Sequence, residues 1–320
     1  MNKKIKYQFE SSLRIDSFLK SKFPNFSRTK IQKLIKNGSF TVDDSIVKPS
    51  YLLTNGSTIS FDDIKSDDSS DLVAEKMNLN IIYEDDDVIA INKDSGVVVH
   101  PGIGNYNGTL LNGILYHCNK LSNIDNSRPG IIHRLDKETS GLILVAKNDH
   151  SHYFISEQFA NREVEKVYKT MVWGNLNKSG LIEGFLKRNP NNRLAFKLNE
   201  NKGKFSSTQY SPLHLNDFPV TLLNVYPKTG RTHQIRAHFS HINHPIINDK
   251  IYYNGKYSAN SYHQNYFSNI NNVLKKIQRV ALHSYQLTFI HPTKKIKMTI
   301  KAPIPKDFSD AMKIIKNNDE

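Results

Sequence analysis

The sequence predicts an α+β protein: a larger domain built on a mixed, mainly antiparallel sheet with flanking helices, preceded by a small αβ module. Three observations carry this expectation. Beyond residue 77, candidate strands often follow one another with no helix between them, which disfavours a doubly wound sheet. Within residues 12–61, two helical patterns are followed by two short β-like runs. Between these regions, residues 62–76, DDIKSDDSSDLVAEK, are acidic, serine-rich and aperiodic, the composition of a linker. The expected organisation is therefore a small domain at 12–61, a linker at 62–76 and a large domain at 77–310.

In the small domain, Ile15, Phe18, Leu19 and Phe23 recur at helical spacing until Pro24 closes the segment. Ser27 is placed to cap a second helix carrying Ile31, Leu34 and Ile35, which Gly38 ends. Strands are expected at 40–42 and 58–61, with Gly56 in the turn before the second. The second helix also carries Arg28, Lys30, Lys33 and Lys36. Such a row is either a solvated face or a phosphate-gripping one, and the residues alone do not separate the two. In the large domain, strands are expected at 88–92, 142–146, 167–173, 221–226 and 296–301, with helices near 110–117, 150–160 and 232–242. No internal repeat is visible.

The formal charge of +14 favours a polyanionic partner, although a lysine-rich composition raises charge by itself. The single Cys118 leaves no intramolecular disulfide and no cysteine-rich zinc site, and it points to a reducing compartment, the cytosol. The start, MNKKIKYQFESS, is basic but lacks an apolar stretch behind it, so no signal peptide is expected. The longest continuous apolar run, 142–146, is a buried strand, far short of the ~20 residues of a membrane span.

Three stretches hold the candidate chemistry. In 130–147, GIIHRLDKETSGLILVAK, polar residues are compressed between two apolar segments, where a sheet edge meets a loop. Asp136 has Arg134 and Lys137 as neighbours, an arrangement that serves either an ionised catalytic carboxylate or a structural salt bridge in a hairpin. In 228–238, KTGRTHQIRAH, Gly230 and Thr232 shape a turn, after which Arg231, Ile235 and His238 fall at roughly helical spacing. An arginine there can fork onto a carboxylate or phosphate. In 164–174, VEKVYKTMVWG, alternation presents Tyr168 between Lys166 and Lys169, as a core residue or as a stacking platform for an unpaired base. His233, His238, His241 and His244 lack the H-E-x-x-H pattern and nearby carboxylates other than Asp249, so no metal is expected. No Walker-type loop or G-x-G-x-x-G turn argues for a nucleotide cofactor.

HRLDKETSGLILVAKN closely resembles the signature of the RluA-type ribosomal large-subunit pseudouridine synthases. INKDSGVVVHPGIGNYNGTLLNGILYH, EVEKVYKTMVWG, GRTHQIRAH and RVALHS resemble the family's successive blocks, in its order, across nearly all of 80–300. HPGIGNYNGTLLN and the HRLDKETSG spelling are most similar to the RluD branch. Residues 12–61 resemble the small RNA-binding domain shared with ribosomal protein S-four, which makes Arg28, Lys30 and Lys33 candidate RNA contacts. The sequence departs from the family at Asp94, where proline is usual, and at Val280 and Ser284, positions outside the candidate catalytic set.

The resemblance implies an RNA-binding isomerase of the cytoplasm, acting in rRNA processing and ribosome biogenesis. It would convert uridines of 23S (large-subunit) ribosomal RNA, free or in pre-ribosomal particles, to pseudouridine, with helix 69 as the expected region. Asp136 would be the catalytic aspartate, Arg134 the arginine entering the stack as the base flips, Tyr168 the tyrosine stacked on that base, and Arg231 the arginine paired with the aspartate. No cofactor or metal is needed for an isomerisation. A monomer without membrane attachment is expected. Two other readings, a non-catalytic assembly factor and a metal-dependent nuclease, are disfavoured by the joint presence of Asp136, Tyr168 and Arg231 and by the lack of clustered carboxylates.

Overall fold

The computed structural model describes residues 3–317 except 24, 25, 27, 63–71, 103, 214–216, 254 and 256. The expected helix end at Pro24, the cap at Ser27 and most of the expected linker lie outside the described residues. The chain divides into two units, 1–71 and 72–320.

The first unit contains β1 (Lys3–Lys6), β2 (Leu13–Arg14), α1 (Ile15–Lys22), α2 (Arg28–Lys36), β3 (Phe40–Val42), β4 (Leu52–Leu53) and β5 (Thr58–Phe61). β5 pairs antiparallel with both β1 and β3, and β2 pairs with β4. Ile15, Phe18 and Leu19 of α1 meet Ile31 and Ile35 of α2 in the core, as the helical spacing requires. Asp16, fully buried, is the structural charge of this unit. Arg14 forks onto it at 3.1 and 2.9 Å, Gln32 donates at 2.8 Å and Arg28 at 3.3 Å. Burial pushes its carboxyl up, but those hydrogen bonds prevail and hold it down to about 2. Arg28, expected on the phosphate-gripping face, is thus already engaged by Asp16, although its side chain remains exposed. The Lys30 ammonium lies 4.7 Å from the centre of the Phe26 ring, while Lys33 and Lys36 stand exposed.

The second unit runs β6 (Ile81–Glu84), β7 (Val88–Lys93), α3 (Leu110–His117), β8 (Ser140–Ala146), α4 (Asp149–Ala160), β9 (Glu165–Trp173), β10 (Gly180–Arg188), β11 (Phe196–Asn199), β12 (Lys204–Pro212), β13 (Val220–Pro227), α5 (Gln234–His241), a 3-10 turn (Ala259–Ser261), α6 (Gln264–Lys276), β14 (Leu282–Ile290), β15 (Lys297–Lys301) and α7 (Lys306–Lys316). The strands of one mixed sheet follow the order β11-β10-β12-β13-β9-β14-β8-β7-β6, with β15 paired to β14. Among these pairs, β8 and β14 are parallel and the others antiparallel, so the mainly antiparallel expectation holds. Alternate residues of β7 and β8 enter two cores: Ile89, Ile91, Ile143 and Val145 one, Val88, Ala90, Leu142 and Leu144 the other. Both faces are covered, which is why 142–146 reads as an unbroken apolar run.

Two expected boundaries move. Residues 73–75, placed in the linker, are tied to the second unit: Asn112 Nδ2 donates to the Val73 carbonyl at 2.8 Å, and the Glu75 N–H to the Asn112 carbonyl at 3.0 Å. At the other end α7 continues past residue 310, burying Phe308, Ala311 and Ile315 in the larger core.

The crossing of β8 and β14 demands a glycine. Gly141 has φ +109°, and a Cβ there would lie 2.2 Å from the Ser284 carbonyl oxygen. We expect Gly141→Ala to lower stability by roughly 3 kcal/mol, from strain and overpacking together. Thermal denaturation checks this; an unchanged melting temperature would show that the two strands can separate there at no cost.

Candidate active site

Asp136 sits in the loop between Ile131, which bridges to Val145, and β8. Leu135 and Thr139 anchor the loop by burial. The carbonyls of residues 136–138 are all engaged: Asp136 accepts from Thr139 N–H (3.1 Å), Lys137 from Gly96 N–H (2.8 Å) and Glu138 from Ser95 Oγ (2.7 Å). Beneath lies Lys93, 1% exposed, whose ammonium donates to the carbonyls of Asp94 (2.8 Å), Val97 (2.8 Å) and Lys137 (3.1 Å). Burial pulls its pKa down to about 8 against the opposing field of Asp136. At neutral pH it remains a cation under the loop.

The loop opens onto a cleft of about 500 Å³. Asp136 is the one carboxylate among the described residues lining it, whereas Arg134, Arg162, Lys166, Lys228 and Arg231 all contribute cations. His133 is fixed at the back: its Nε2 accepts the Leu144 N–H at 2.9 Å and its ring stacks on Phe159. Burial and the nearby Lys166 drive its pKa down to about 3, so it is neutral and the accepting nitrogen is unprotonated. Tyr168, on β9, is 9% exposed and also lines the cleft. Burial raises its phenol to about 12, against a hydrogen bond with Ser284, so it stays protonated at neutral pH. Ser284, which the sequence set apart from the candidate catalytic residues, therefore touches one of those candidates.

Asp136 and Tyr168 meet in this cleft, and exposed Arg134 stands at its wall. Arg231 lines the cleft too, but it does not make the expected pair with Asp136. Its Nε donates to the Phe205 carbonyl at 3.2 Å, and its own N–H caps Gln234 Oε1 at 3.0 Å. The arginine at Asp136 is Arg236, whose Nη1 lies 3.4 Å from Oδ2. The cause is helix phase. α5 starts at Gln234, after His233 has taken a left-handed turn (φ 54°), so Arg231 precedes the helix and Arg236 is carried inward. Arg236 is 3% exposed and forks onto the fully buried Asp249 at 2.6 and 2.8 Å. Burial opposes its charge, but Asp249 and then Asp136 raise the guanidinium pKa still further. A signal for Arg236 was present: one charged residue inside the apolar run Ile235-Arg236-Ala237 implies a buried acidic partner. His233 Nε2 lies 3.9 Å from Asp136, and burial lowers its pKa below the ordinary histidine value, leaving it neutral at pH 7.

The clustered histidines of 233–244 diverge: His233 Nδ1 pairs with the Tyr252 hydroxyl, His238 Nε2 with Ser206 Oγ, and His244 Nδ1 with the Trp173 carbonyl. Two groups elsewhere have ligand-like spacing, Glu84–His117–Cys118 and Asp85–Asp87–His291. In the first, Glu84 is taken by Lys147 and His117. In the second, His291 Nε2 donates to Asp85 and its Nδ1 accepts the Lys294 N–H. None of these residues lines the cleft.

Residues 87–241 match the model of the RNA pseudouridylate synthases, and residues 13–59 match the S4 domain. A relative named ribosomal large subunit pseudouridine synthase D, from Neisseria meningitidis serogroup B, is 36% identical over 304 residues, covering 95% of this chain and 79% of its own. An uncharacterized RNA pseudouridine synthase of Bacillus subtilis, YlyB, is 35% identical over 319 residues, covering 97% and 96%. The solved structure of human RNA pseudouridylate synthase domain containing 1 superposes with a TM-score of 0.53 at 25% identity, over 71% of this chain and 84% of that one. The chain belongs to the RNA pseudouridylate synthase family, in its RluA-type group with relatives of the RluD branch, and is a pseudouridine synthase, an isomerase.

The geometry ranks the two arginines. Arg236→Lys replaces a fork that serves two carboxylates by one point charge, and should lower turnover roughly 100-fold or more. Arg231→Lys, whose main tie is to a carbonyl, should stay within about 10-fold of wild type. Parallel rate measurements decide it; equal losses would restore Arg231 as the partner of Asp136.

Proposed function

We propose that the protein isomerises specific uridines of large-subunit ribosomal RNA, with Asp136 as the catalytic carboxylate acting on a flipped-out uridine. The observation that carries this is Asp136 as the one carboxylate among the described residues lining a cation-rich cleft: the cations receive phosphates, and one acid is left facing the sugar. The ribosomal target is carried by the names of the relatives and by the S4 match.

The reaction breaks the N1–C1′ bond, turns the uracil and forms the C5–C1′ bond; the C5 proton leaves and N1 gains one. No atom or electron is gained or lost. The uridine must first leave its stack, at a cost of roughly a few kcal/mol. Arg134, exposed at the cleft wall, fills the vacated space, and the Tyr168 ring stacks on the expelled base. The neutral phenol of Tyr168 adds no charge beside the sugar. Asp136 then acts at C1′ as nucleophile or at C2′ as base, oriented by Arg236 and flanked by the neutral His233. Lys33 and Lys36 of the first unit add phosphate contacts without reading sequence.

Pseudouridine mapping by carbodiimide adducts and primer extension, on unmodified large-subunit RNA with no added cofactor, tests the reading. Wild type should create new stops and Asp136→Asn none, with RNA binding largely intact in both. Stops with Asp136→Asn, or none with wild type on any ribosomal or transfer RNA, would refute it. Deleting residues 1–71 should weaken binding and flatten its salt dependence, by about 0.7 in log–log slope per lost single-strand phosphate contact, while the chemistry persists. An unchanged slope would remove the first unit from RNA binding.

A further inference from the structure

From the buried chain Asp136–Arg236–Asp249 we infer that Asp249 is a positioning residue for the isomerisation: by holding the fork of Arg236, it leaves Asp136 a single, weak contact. The inference rests on Asp136 being the catalytic carboxylate. Asp249 takes the Nε and Nη2 edge of Arg236 with two strong, parallel hydrogen bonds, at 2.6 and 2.8 Å. What remains for Asp136 is one Nη1 contact at 3.4 Å, long for a charge-assisted bond. A carboxylate bound by the full fork would be well oriented but poorly reactive. One left with no cation would not be oriented at all.

The asymmetry is built in. Asp249 is fully buried, and its Oδ1 also accepts the Ile251 and Tyr252 N–H groups at 3.1 and 3.3 Å, so it cannot swing toward the cleft. Tyr252 lies under the guanidinium, 5.3 Å from its ring centre, and blocks the other side. With one Arg and two Asp, the chain carries a net charge of −1, and the exposed end of that charge is on Asp136, 17% exposed against 0% for Asp249. The other groups facing Asp136 do not replace this control. His233 and Tyr168 are neutral at pH 7, and Lys93 is spent on three carbonyls.

Two variants test this by kcat, KM and thermal stability on the full chain. Asp249→Glu keeps the charge that Arg236 needs but moves the carboxylate by a methylene. It should fold, keep KM within about three-fold, and lose kcat about ten-fold or more, as a displaced fork demands. Asp249→Asn turns the guanidinium toward Asp136. Its folded fraction should lose kcat about 100-fold, because the fork released by Asp249 closes on Asp136 and blunts it. A purely structural Asp249 would lower the melting temperature while leaving kcat per folded molecule unmoved, and that result overturns the inference. If Asp249→Asn does not fold, Asp249→Glu decides alone: wild-type kcat overturns it. Turnover surviving in Asp136→Asn would instead sink the catalytic reading, whereas an inactive Asp136→Asn beside a normal Asp249→Glu sinks only this inference.

Discussion

A lysine can be buried to 1% exposure only if its three N–H groups find acceptors, and much of the active site follows from where Lys93 finds them. They are the carbonyls of Asp94, Val97 and Lys137, so the end of β7 and the loop carrying Asp136 are fastened to one cation. Losing the amine would strand carbonyls at about 1–3 kcal/mol each and release the loop. The same cation lies in the field of the Asp136 carboxylate, so the tie that shapes the loop also sets a positive charge near the proposed catalytic acid. Structure and electrostatics are one feature here.

Each unit also holds a fully buried aspartate satisfied in the same way. Asp16 in the first unit gathers Arg14, Arg28 and Gln32, which makes it a hub between α1 and α2. Asp249 in the second gathers Arg236 and two backbone N–H groups. In the first the cations face outward and the acid is hidden. In the second the cation is hidden, and its spare hydrogen bond is delivered to a cleft.

What was legible in the sequence depended on how cleanly periodicity survived. The strands at 40–42 and 58–61 and the helix near 110–117 appear where the pattern put them, because one-sided or complete burial imposes a regular spacing. The hairpin system of β10, β11 and β12 did not register: Gly180 and Gly184 interrupt β10, and its exposure alternates irregularly. The asparagine-rich α6 was hidden by composition, since only Ile270 and Val273 of it are buried. Asp136 and Tyr168, which the motifs offered as candidates, both line the cleft. The choice between Arg231 and Arg236 could not be read from a motif, because it turns on whether a helix begins at 232 or 234, and a two-residue error rotates the face by more than half a turn. Asp249 was noticed only as a carboxylate near histidines; its partner is set by tertiary packing.

The loop holding Asp136 is secured through carbonyl oxygens of residues 94, 97, 137 and 138, and every amino acid supplies a carbonyl. The side chains at Asp94 and Lys137 are therefore exempt from the task of holding the loop, and evolution can exchange them without disturbing the carboxylate between. This accounts for an aspartate at 94 where proline is usual: the lysine reads the backbone of that position and is indifferent to its identity. Lys93 has no such freedom, because its ammonium alone supplies the donors that all three carbonyls share.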